Sequence, residues 1–330
     1  MHILIMGGTR FVGLHFARTA LAAGHEVTVL HRGRSGAHLL PDATHLIADR
    51  DADLSLLRGL GWDATVDVSA YFPRQIRKLA SALDPGAAGR YLLVSSMAVY
   101  DTPGAPAFTE DSPLLPADGP EADAVTPASY GPLKVRCERA AREAFGPDVL
   151  LVRPTYVIGP QDYTRRFDYW VQRLARGGEV LAPGRPDAPV QVVDARDLAA
   201  WMLALLERGA SGAYHAATPP PFTMGGLLGA VASAVAPAGT TLTWVDDDFL
   251  RAADVPDSAL PLWTTNPLVR ATSTADPAAA LATGLVLRPV AETARDIAPF
   301  DPLPQTLTPD QEADLLAAWN ERLGKAPRQV

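Results

Sequence analysis

The sequence predicts an α/β fold with a doubly wound parallel sheet and a smaller mixed α/β lobe. Short β-rich runs alternate with helical patterns from the first residues onward, which is typical of a parallel sheet covered by helices on both faces. Beyond about residue 159 this alternation becomes irregular. The chain has 330 residues, of which 48% are hydrophobic and 20% charged, so it is long enough to bury a sizeable core.

The first strand is predicted at HILIM, and a helix follows over residues 11–23, ended by Gly24. Along this helix an apolar face suited to packing on a sheet recurs at Phe11, Leu14, Ala17 and Leu21. The later strands of the sheet are predicted at HEVTVL, THLIAD, ATVDVS, RYLLVSS and VLLVRP.

The second half of the chain mixes both element types. Helices are predicted at FDYWVQRLARGG, DLAAWMLALLE and LTPDQEADLLAAWNERL, and strands at VLAPG, PVQVV and TLTWVD. We therefore expect a sheet domain over residues 1–160 and a substrate-binding lobe over residues 161–330. Residues 190–207 are expected to return to the sheet domain.

Composition narrows the class of protein. The net charge of −8 and the pI near 5.4 disfavour nucleic acid as a partner, since phosphate backbones are held by clustered basic residues. The single cysteine, Cys137, and the spacing of the histidines predict a reducing compartment and no metal site. Without a basic leader or an apolar run long enough for a bilayer, we expect a cytoplasmic protein that binds no membrane. The richness in Ala, Arg and Pro suggests a bacterial source.

A glycine-rich turn, MGGTRFVG, follows the first predicted strand. Dinucleotide-binding loops read G-x-G-x-x-G or G-x-x-G-x-x-G, and both patterns expect glycine where this chain has Arg10. Two interpretations are open: the loop is a false or degenerate match, or Arg10 has a role of its own.

The stretch YGPLK places Tyr130 and Lys134 four residues apart, so on a helix they lie on the same face. We expect Ser129 to cap this helix and Pro132 to lie in its first turn, where a missing N–H is tolerated. An adjacent ammonium and the positive end of a helix both favour the phenolate of a tyrosine. Tyr130 is therefore a candidate for exchanging a proton with a substrate hydroxyl or carbonyl.

Two serines, Ser95 and Ser96, end the predicted strand RYLLVSS. A hydroxyl at the carboxyl end of such a strand lies at the crevice where open α/β sheets bind their ligands. It is suited to hydrogen-bond a reacting oxygen and to stabilise charge there.

Together these motifs resemble the short-chain dehydrogenase/reductase family, in its extended, atypical branch of nucleotide-sugar epimerases and dehydratases. The resemblance covers nearly the whole chain and rests on MGGTRFVG, IADRDAD, VDVSA, SSMAVY, YGPLK, LVRPTYVIGP and QVVDARDLA. It implies a Rossmann-type fold and hydride transfer to or from a nicotinamide. The implied catalytic residues are Ser96, which orients the substrate oxygen, Tyr130, the acid/base, and Lys134, which holds the nicotinamide ribose.

The resemblance also implies which residues contact the dinucleotide. The glycine turn would hold the phosphates, and Asp49 and Arg50 would lie beside the adenine. Ser69 and Ala70 would reach the ribose, and residues 154–157 would reach the carboxamide. The residues concerned are Gly7, Gly8, Thr9, Arg10, Phe11, Val12, Gly13, Asp49, Arg50, Ser69, Ala70, Pro154, Thr155 and Val157.

The end of the second strand indicates which dinucleotide is bound. An acidic residue there accepts a hydrogen bond from the ribose of NAD, whereas an arginine accommodates the 2′-phosphate of NADP. This strand is followed by His31, Arg32, Gly33 and Arg34, with no acid. NADP is therefore favoured, with NAD as the alternative, and Arg10 is expected to add a charged contact to the phosphate.

Departures from the family pattern restrict the reaction. Met97 and Ala98 stand where dehydratases carry an acidic pair, and Tyr156 stands where epimerases commonly have asparagine. After the VIGP turn, Tyr163 and the arginines Arg165 and Arg166 are candidates for touching the substrate, although a solvated surface explains the arginines equally well.

The leading hypothesis is an NADP-dependent oxidoreductase that interconverts a secondary alcohol and a ketone of a small molecule. An epimerase of a sugar or nucleotide-sugar, acting through a transient ketone, is the nearest alternative. A non-catalytic dinucleotide-sensing or RNA-associated binding protein is a third hypothesis, disfavoured by the intact Ser96, Tyr130 and Lys134. By analogy with the family, we expect a homodimer.

Overall fold

The computed structural model describes residues 1–101, 107–297 and 306–325. The strands are β1 His2–Met6, β2 Glu26–His31, β3 Thr44–Ile47, β4 Ala64–Asp67, β5 Arg90–Val94, β6 Leu150–Pro154, β7 Tyr156–Ile158, β8 Glu179–Pro183, β9 Val192–Asp194, β10 Gly212–Ala216 and β11 Thr241–Val245. The helices are α1 Phe11–Ala22, α2 Pro73–Ala82, α3 Pro127–Phe145, α4 Arg166–Arg176, α5 Ala195–Glu207, α6 Met224–Val235, α7 Asp247–Ala252, α8 Pro267–Ala271, α9 Ala278–Ala282, α10 Val290–Arg295 and α11 Pro309–Lys325.

Seven strands form one parallel sheet in the order β10-β6-β5-β4-β1-β2-β3. The order reverses at β1, so the carboxyl ends of β1 and β4 flank the point where ligands bind in open α/β sheets. The predicted doubly wound α/β class is confirmed.

The sheet is apolar on both faces because helices cover both of them. In β1, Ile3 and Ile5 point to the layer that contains α1 and α5, whereas Leu4 and Met6 point to the layer of α2 and α3. This alternation has the period of two that a strand imposes. Trp201, on α5, is buried in the first of these layers.

The chain divides into two compact units. Within the described residues the first comprises 1–101, 107–157, 191–220 and 271–287, and the second comprises 158–190, 221–270, 288–297 and 306–325.

Residues 271–287 belong to the first unit, although the sequence places them in the lobe. Gln191 holds this segment through both ends of its side chain: Oε1 accepts from the Ala275 N–H at 2.9 Å, and Nε2 donates to the Ala275 carbonyl at 2.9 Å. Ala280 and Leu285 are then buried in the core of the sheet. These long-range contacts leave no local signature in the sequence.

The second unit is built on a parallel pair of strands, β8 and β11, with the helix contacts α4 to α6 and α6 to α10. Its core includes a buried ion pair between Arg173 on α4 and Glu312 on α11. Glu312 also accepts a hydrogen bond from the Leu181 N–H on β8 at 3.0 Å, so one carboxylate ties three elements together.

Across the part of the chain that the structure describes, every helix is too short or too polar to span a bilayer.

Candidate active site in the first unit

The glycine turn between β1 and α1 is closely packed. Gly7 has a φ of +91°, and a Cβ at this position would lie 2.6 Å from the Oγ of Ser69. A Cβ on Gly13 would lie 2.9 Å from the Gly7 carbonyl oxygen. Glycine is therefore required at both positions, and the turn lies directly before the N-terminus of α1, where backbone N–H groups attract phosphate. These features fit the pyrophosphate of a dinucleotide.

Arg10 replaces the expected glycine without backbone strain. It precedes α1 in an extended conformation, with φ −143° and ψ 147°, which any residue adopts, and its side chain is exposed. The positive φ of +41° falls instead on the next residue, Phe11, which is buried. The replacement of glycine therefore leaves the turn intact.

The segment after β2 packs against the glycine turn. A Cβ on Gly36 would lie 2.0 Å from the carbonyl oxygen of Thr9, so the two backbones are in direct contact. Arg32 and Arg34 are exposed within this segment. No local pattern indicates the contact at Gly36, because it joins two loops of irregular structure.

Ser96 caps a short 3₁₀ turn, Met97–Val99, after β5, and its Oγ accepts a hydrogen bond from the Ala98 N–H at 3.1 Å. The hydroxyl hydrogen of Ser96 is not used in this bond, so it remains a donor for a substrate oxygen. Ser95 is buried, and its Oγ has no hydrogen-bond partner among the described residues.

The helix α3 begins earlier than the sequence analysis expects. Thr126, not Ser129, is its N-cap: the Thr126 Oγ1 accepts from the Ser129 N–H at 3.1 Å, and the Ser129 Oγ accepts from the Thr126 N–H at 2.8 Å. Pro127 then occupies the first turn, and Pro132 lies inside the helix. The predicted cap at Ser129 is wrong, because the threonine and proline just before it start the helix first.

Gly131 brings α3 against the turn that carries Ser96. A Cβ at this position would lie 2.2 Å from the carbonyl oxygen of Ala98 and 2.6 Å from the side chain of Leu115. The absence of a side chain at Gly131 therefore lets Tyr130, its neighbour on the helix, approach the Ser96 turn. No pattern in the sequence indicates this role of Gly131, since it depends on a contact between distant segments.

Lys134 is buried, and its ammonium joins the ends of two strands. Its Nζ donates to the Ala70 carbonyl at 2.9 Å, after β4, and to the Val94 carbonyl at 2.8 Å, at the end of β5. An ammonium has three N–H donors, so one remains for a ligand. Tyr71, a residue that the sequence analysis did not consider, lies beside both catalytic candidates: its ring centroid is 6.3 Å from that of Tyr130 and 5.9 Å from the Lys134 Nζ.

Arg50 forms a buried ion pair with Asp67 at the end of β4. Its Nη1 and Nη2 each donate to an oxygen of Asp67 at 2.7 Å, and Nη1 also donates to the Ser69 Oγ at 2.8 Å. Tyr91 donates to the same carboxylate at 2.9 Å. Burial alone would raise the pKa of Asp67, but the charge and hydrogen bonds of Arg50 hold it below its ordinary value. The guanidinium thus supports the strand end under the glycine turn, and its contact with adenine stays a prediction.

The remaining predicted contact residues also belong to the first unit. Asp49 follows β3, Pro154 ends β6, and Thr155 donates from its Oγ1 to the Gln191 carbonyl at 2.9 Å. Their contacts with a dinucleotide remain predictions, as do those of Gly8, Val12, Ala70 and Val157.

In the second unit, Tyr163 is exposed, and Arg165 and Arg166 are partly buried. Arg165 adopts a left-handed conformation with a φ of +52° immediately before α4. The hydroxyl of Thr164 lies 2.7 Å from an oxygen of Asp162 and accepts from Arg166 Nε at 3.1 Å. Contact of these residues with a substrate remains a prediction.

Asp168 is a buried carboxyl in the first turn of α4. Its side chain is buried, and its Oδ1 has no hydrogen-bond partner within the described residues. Burial, followed by the charge of Asp162, raises the pKa of Asp168 to about 7. The folded protein therefore holds a proton on Asp168 that the unfolded chain releases near pH 4.

We expect this carboxyl to destabilise the protein as the pH rises. The raised pKa contributes stability that is fully present below pH 4 and is lost as the pH rises from 4 to 7. Asp168→Asn should therefore be more stable than wild type by about 2–4 kcal/mol at pH 8, and its gain in stability should be smaller at pH 5. Urea denaturation at both pH values measures the effect. Asp248→Asn, at an exposed carboxyl of the same unit, serves as the control. An equal effect of Asp168→Asn at both pH values would contradict the expectation.

The fold defines a class of protein: enzymes with a Rossmann-type domain that binds a nicotinamide dinucleotide. Ser96, Tyr130 and Lys134 are the candidate catalytic residues of this class. Residues 3–217 match the model of the NAD dependent epimerase/dehydratase family. The chain belongs to this family, and the resemblance to extended short-chain dehydrogenases/reductases is confirmed.

A plant protein is also similar to the chain in sequence. The chain is 30% identical over 250 residues to the chloroplast stem-loop binding protein of 41 kDa b from Arabidopsis thaliana, in a match that covers 70% of this chain and 62% of the relative. The chain thus spans less than two thirds of that relative's length.

Solved structures share the fold at low sequence identity. The human epimerase family protein SDR39U1 with NADPH has a TM-score of 0.65 and 20% identity, with 90% of this chain and 100% of that chain covered. The UDP-N-acetylglucosamine 4-epimerase from Methanobrevibacter ruminantium M1, in complex with UDP-N-acetylmuramic acid, has a TM-score of 0.66 and 18% identity, with 89% and 96% covered.

Proposed function

We propose that this enzyme interconverts a secondary alcohol and a ketone of a small molecule, with NADP as its cofactor. The observation that carries the proposal is the arrangement of Ser96, Tyr130 and Lys134 around the ends of β4 and β5, beside the glycine turn. The dinucleotide, when bound, accepts or supplies the hydride.

Each side chain then has a task that its contacts support. Ser96 receives a hydrogen bond from the backbone and donates its own hydrogen to the reacting oxygen. Tyr130 gives a proton to that oxygen in reduction and takes it back in oxidation. Lys134 is fixed by two carbonyls and directs its remaining N–H to the ribose. With Met97 and Ala98 in place of an acidic pair, elimination of water has no acid and base of the expected kind.

The proposal is tested with the purified chain, NADPH and a panel of ketones and aldehydes. We expect NADPH absorbance to fall in proportion to alcohol formed. If no ketone consumes NADPH while a nucleotide-sugar is converted to its epimer without net loss of NADPH, the reductase proposal is wrong and an epimerase takes its place.

An epimerase of nucleotide-sugars is the second candidate, favoured by the family match and by the named activity of the archaeal structure. It would use the same three residues and regenerate its cofactor in each cycle. UDP-N-acetylglucosamine incubated with the enzyme and a trace of cofactor tests this candidate, with the epimeric sugar as the expected product.

The name of the plant relative favours RNA stem-loop binding as a candidate of another class. The charge distribution opposes it: the net charge is −8, and two exposed arginines are neutralised by carboxylates, Arg77 on α2 by Glu143 and Arg139 on α3 by Asp118. An electrophoretic shift of an RNA hairpin, lost steeply with salt, would support this candidate.

For the cofactor, we expect NADPH to bind at least about tenfold more tightly than NADH, because Arg32 and Arg10 offer charge to a 2′-phosphate. Arg32→Ala should reduce this difference, whereas Arg58→Ala, at an exposed arginine shortly before β4, should not. Fluorescence titration measures both affinities. Equal affinities of the wild-type protein for the two dinucleotides would contradict the NADP assignment.

A further inference from the structure

A chain of hydrogen bonds lies behind the exposed Arg32. His31, the last residue of β2, is buried, and its Nδ1 accepts from the Gly33 N–H at 3.0 Å. Its Nε2 lies 2.9 Å from the Nδ1 of His45 on β3, and the Nε2 of His45 lies 2.9 Å from the Leu40 carbonyl oxygen. The family motifs that define the active site contain neither histidine.

The backbone groups at the two ends of this series of hydrogen bonds determine which atom donates and which accepts in every bond between them. A backbone N–H only donates, so the Nδ1 of His31 carries no proton and its Nε2 donates to His45. A carbonyl only accepts, so the Nε2 of His45 carries the proton of the second ring. Both imidazoles are therefore neutral, and burial, followed by the neighbouring His45, lowers the pKa of His31.

The hydrogen bonds of His31 hold Arg32 from both sides. Before it, the carbonyl of His31 accepts from the Ala48 N–H at 3.0 Å, which continues the ladder of β2 and β3. After it, the imidazole of the same residue holds the N–H of Gly33, which turns the chain with a φ of +71°. The backbone direction from which the Arg32 side chain departs is thus fixed.

The segment that carries Arg32 also has a fixed position against the glycine turn. Gly36 is in backbone contact with Thr9, where a Cβ would lie 2.0 Å from the Thr9 carbonyl oxygen. Thr9 adjoins Arg10, so the segments that carry Arg32 and Arg10 are neighbours.

We infer that His31 and His45 are positioning residues that hold Arg32 toward the 2′-phosphate and so determine the preference for NADP over NAD. This inference rests on the NADP preference proposed above. An arginine on an ordered backbone loses less freedom when it binds a phosphate, so the pair strengthens NADPH binding selectively. NADH has no 2′-phosphate, and its affinity should not depend on the pair.

The test uses the full chain and fluorescence titration with NADPH and NADH. We expect His45→Leu to lower the ratio of NADPH to NADH affinity about five- to tenfold, with the NADH affinity nearly unchanged. His45→Asn, whose carboxamide oxygen replaces the acceptor of the Nδ1, should keep most of the preference. His38→Leu, at an exposed histidine of the same segment, is the matched control and should change neither affinity.

Equal losses of NADPH and NADH affinity in His45→Leu would show a structural role only and would overturn the inference. If His45→Leu does not fold, His31→Leu removes the acceptor of the Gly33 N–H, and the same unequal losses are expected. A wild-type protein without NADPH preference refutes the NADP assignment itself. A preference that depends on Arg32 but survives in His45→Leu refutes the positioning role alone.

Discussion

Tyr130→Phe is expected to lower kcat by about 10²–10⁴-fold, the range in which a positioned general acid or base contributes. The substitution removes one hydroxyl and keeps the ring, so α3 and its contact with the Ser96 turn through Gly131 should persist. The affinity for NADPH should change little, because Lys134 keeps its two carbonyl partners. Turnover of a substrate found in the carbonyl panel measures kcat, and fluorescence titration measures cofactor binding.

The neighbouring Tyr71 provides a matched control. Its ring centroid lies 6.3 Å from that of Tyr130, and Tyr71→Phe removes the same chemical group from a neighbouring ring. We expect kcat of Tyr71→Phe to stay within about threefold of wild type, since the proton transfer is assigned to the tyrosine on the helix. If Tyr71→Phe loses activity and Tyr130→Phe does not, the acid/base assignment is wrong.

Local patterns were sufficient to predict most of the sheet and the candidate catalytic residues. The alternation of strands and helices predicts the parallel sheet, because apolar residues recur with a different spacing in strands and in helices. The spacing of Tyr130 and Lys134 predicts a shared helical face for the same reason. The predicted start of α3 was wrong, although the sequence contains the signal for the observed one. Thr126, Pro127 and Ser129 form a recognisable N-terminal cap.

Contacts between distant segments were not predictable from one sequence. The partners of the Lys134 ammonium lie on two different strands, and the approach of Gly131 to Ala98 depends on how α3 packs. Arg50 is expected beside the adenine, and no local pattern indicates that it pairs with Asp67 inside the fold. In each case the sequence supplies the chemical groups, whereas the register of the sheet decides which groups meet.

A third buried ion pair fixes α3 to the sheet. Arg153 on β6 donates from Nε and Nη2 to the two oxygens of Glu138 on α3, at 2.9 and 2.7 Å, and both side chains are almost completely buried. Nη1 of Arg153 also donates to the Tyr100 hydroxyl. Glu138 lies one turn beyond Lys134 on the same face of α3, so the pair sets the position of the helix that carries the candidate catalytic residues Tyr130 and Lys134.

We expect Glu138→Gln to lower the free energy of unfolding by about 3–5 kcal/mol, because it leaves the charge of Arg153 buried without its counter-ion. Urea denaturation followed by circular dichroism measures the loss. Glu143→Gln, on the same helix, removes a carboxylate from an exposed pair with Arg77 and should change the free energy by no more than about 0.5 kcal/mol. If the two variants lose similar stability, burial does not set the strength of these pairs, and α3 must be held mainly by its apolar contacts.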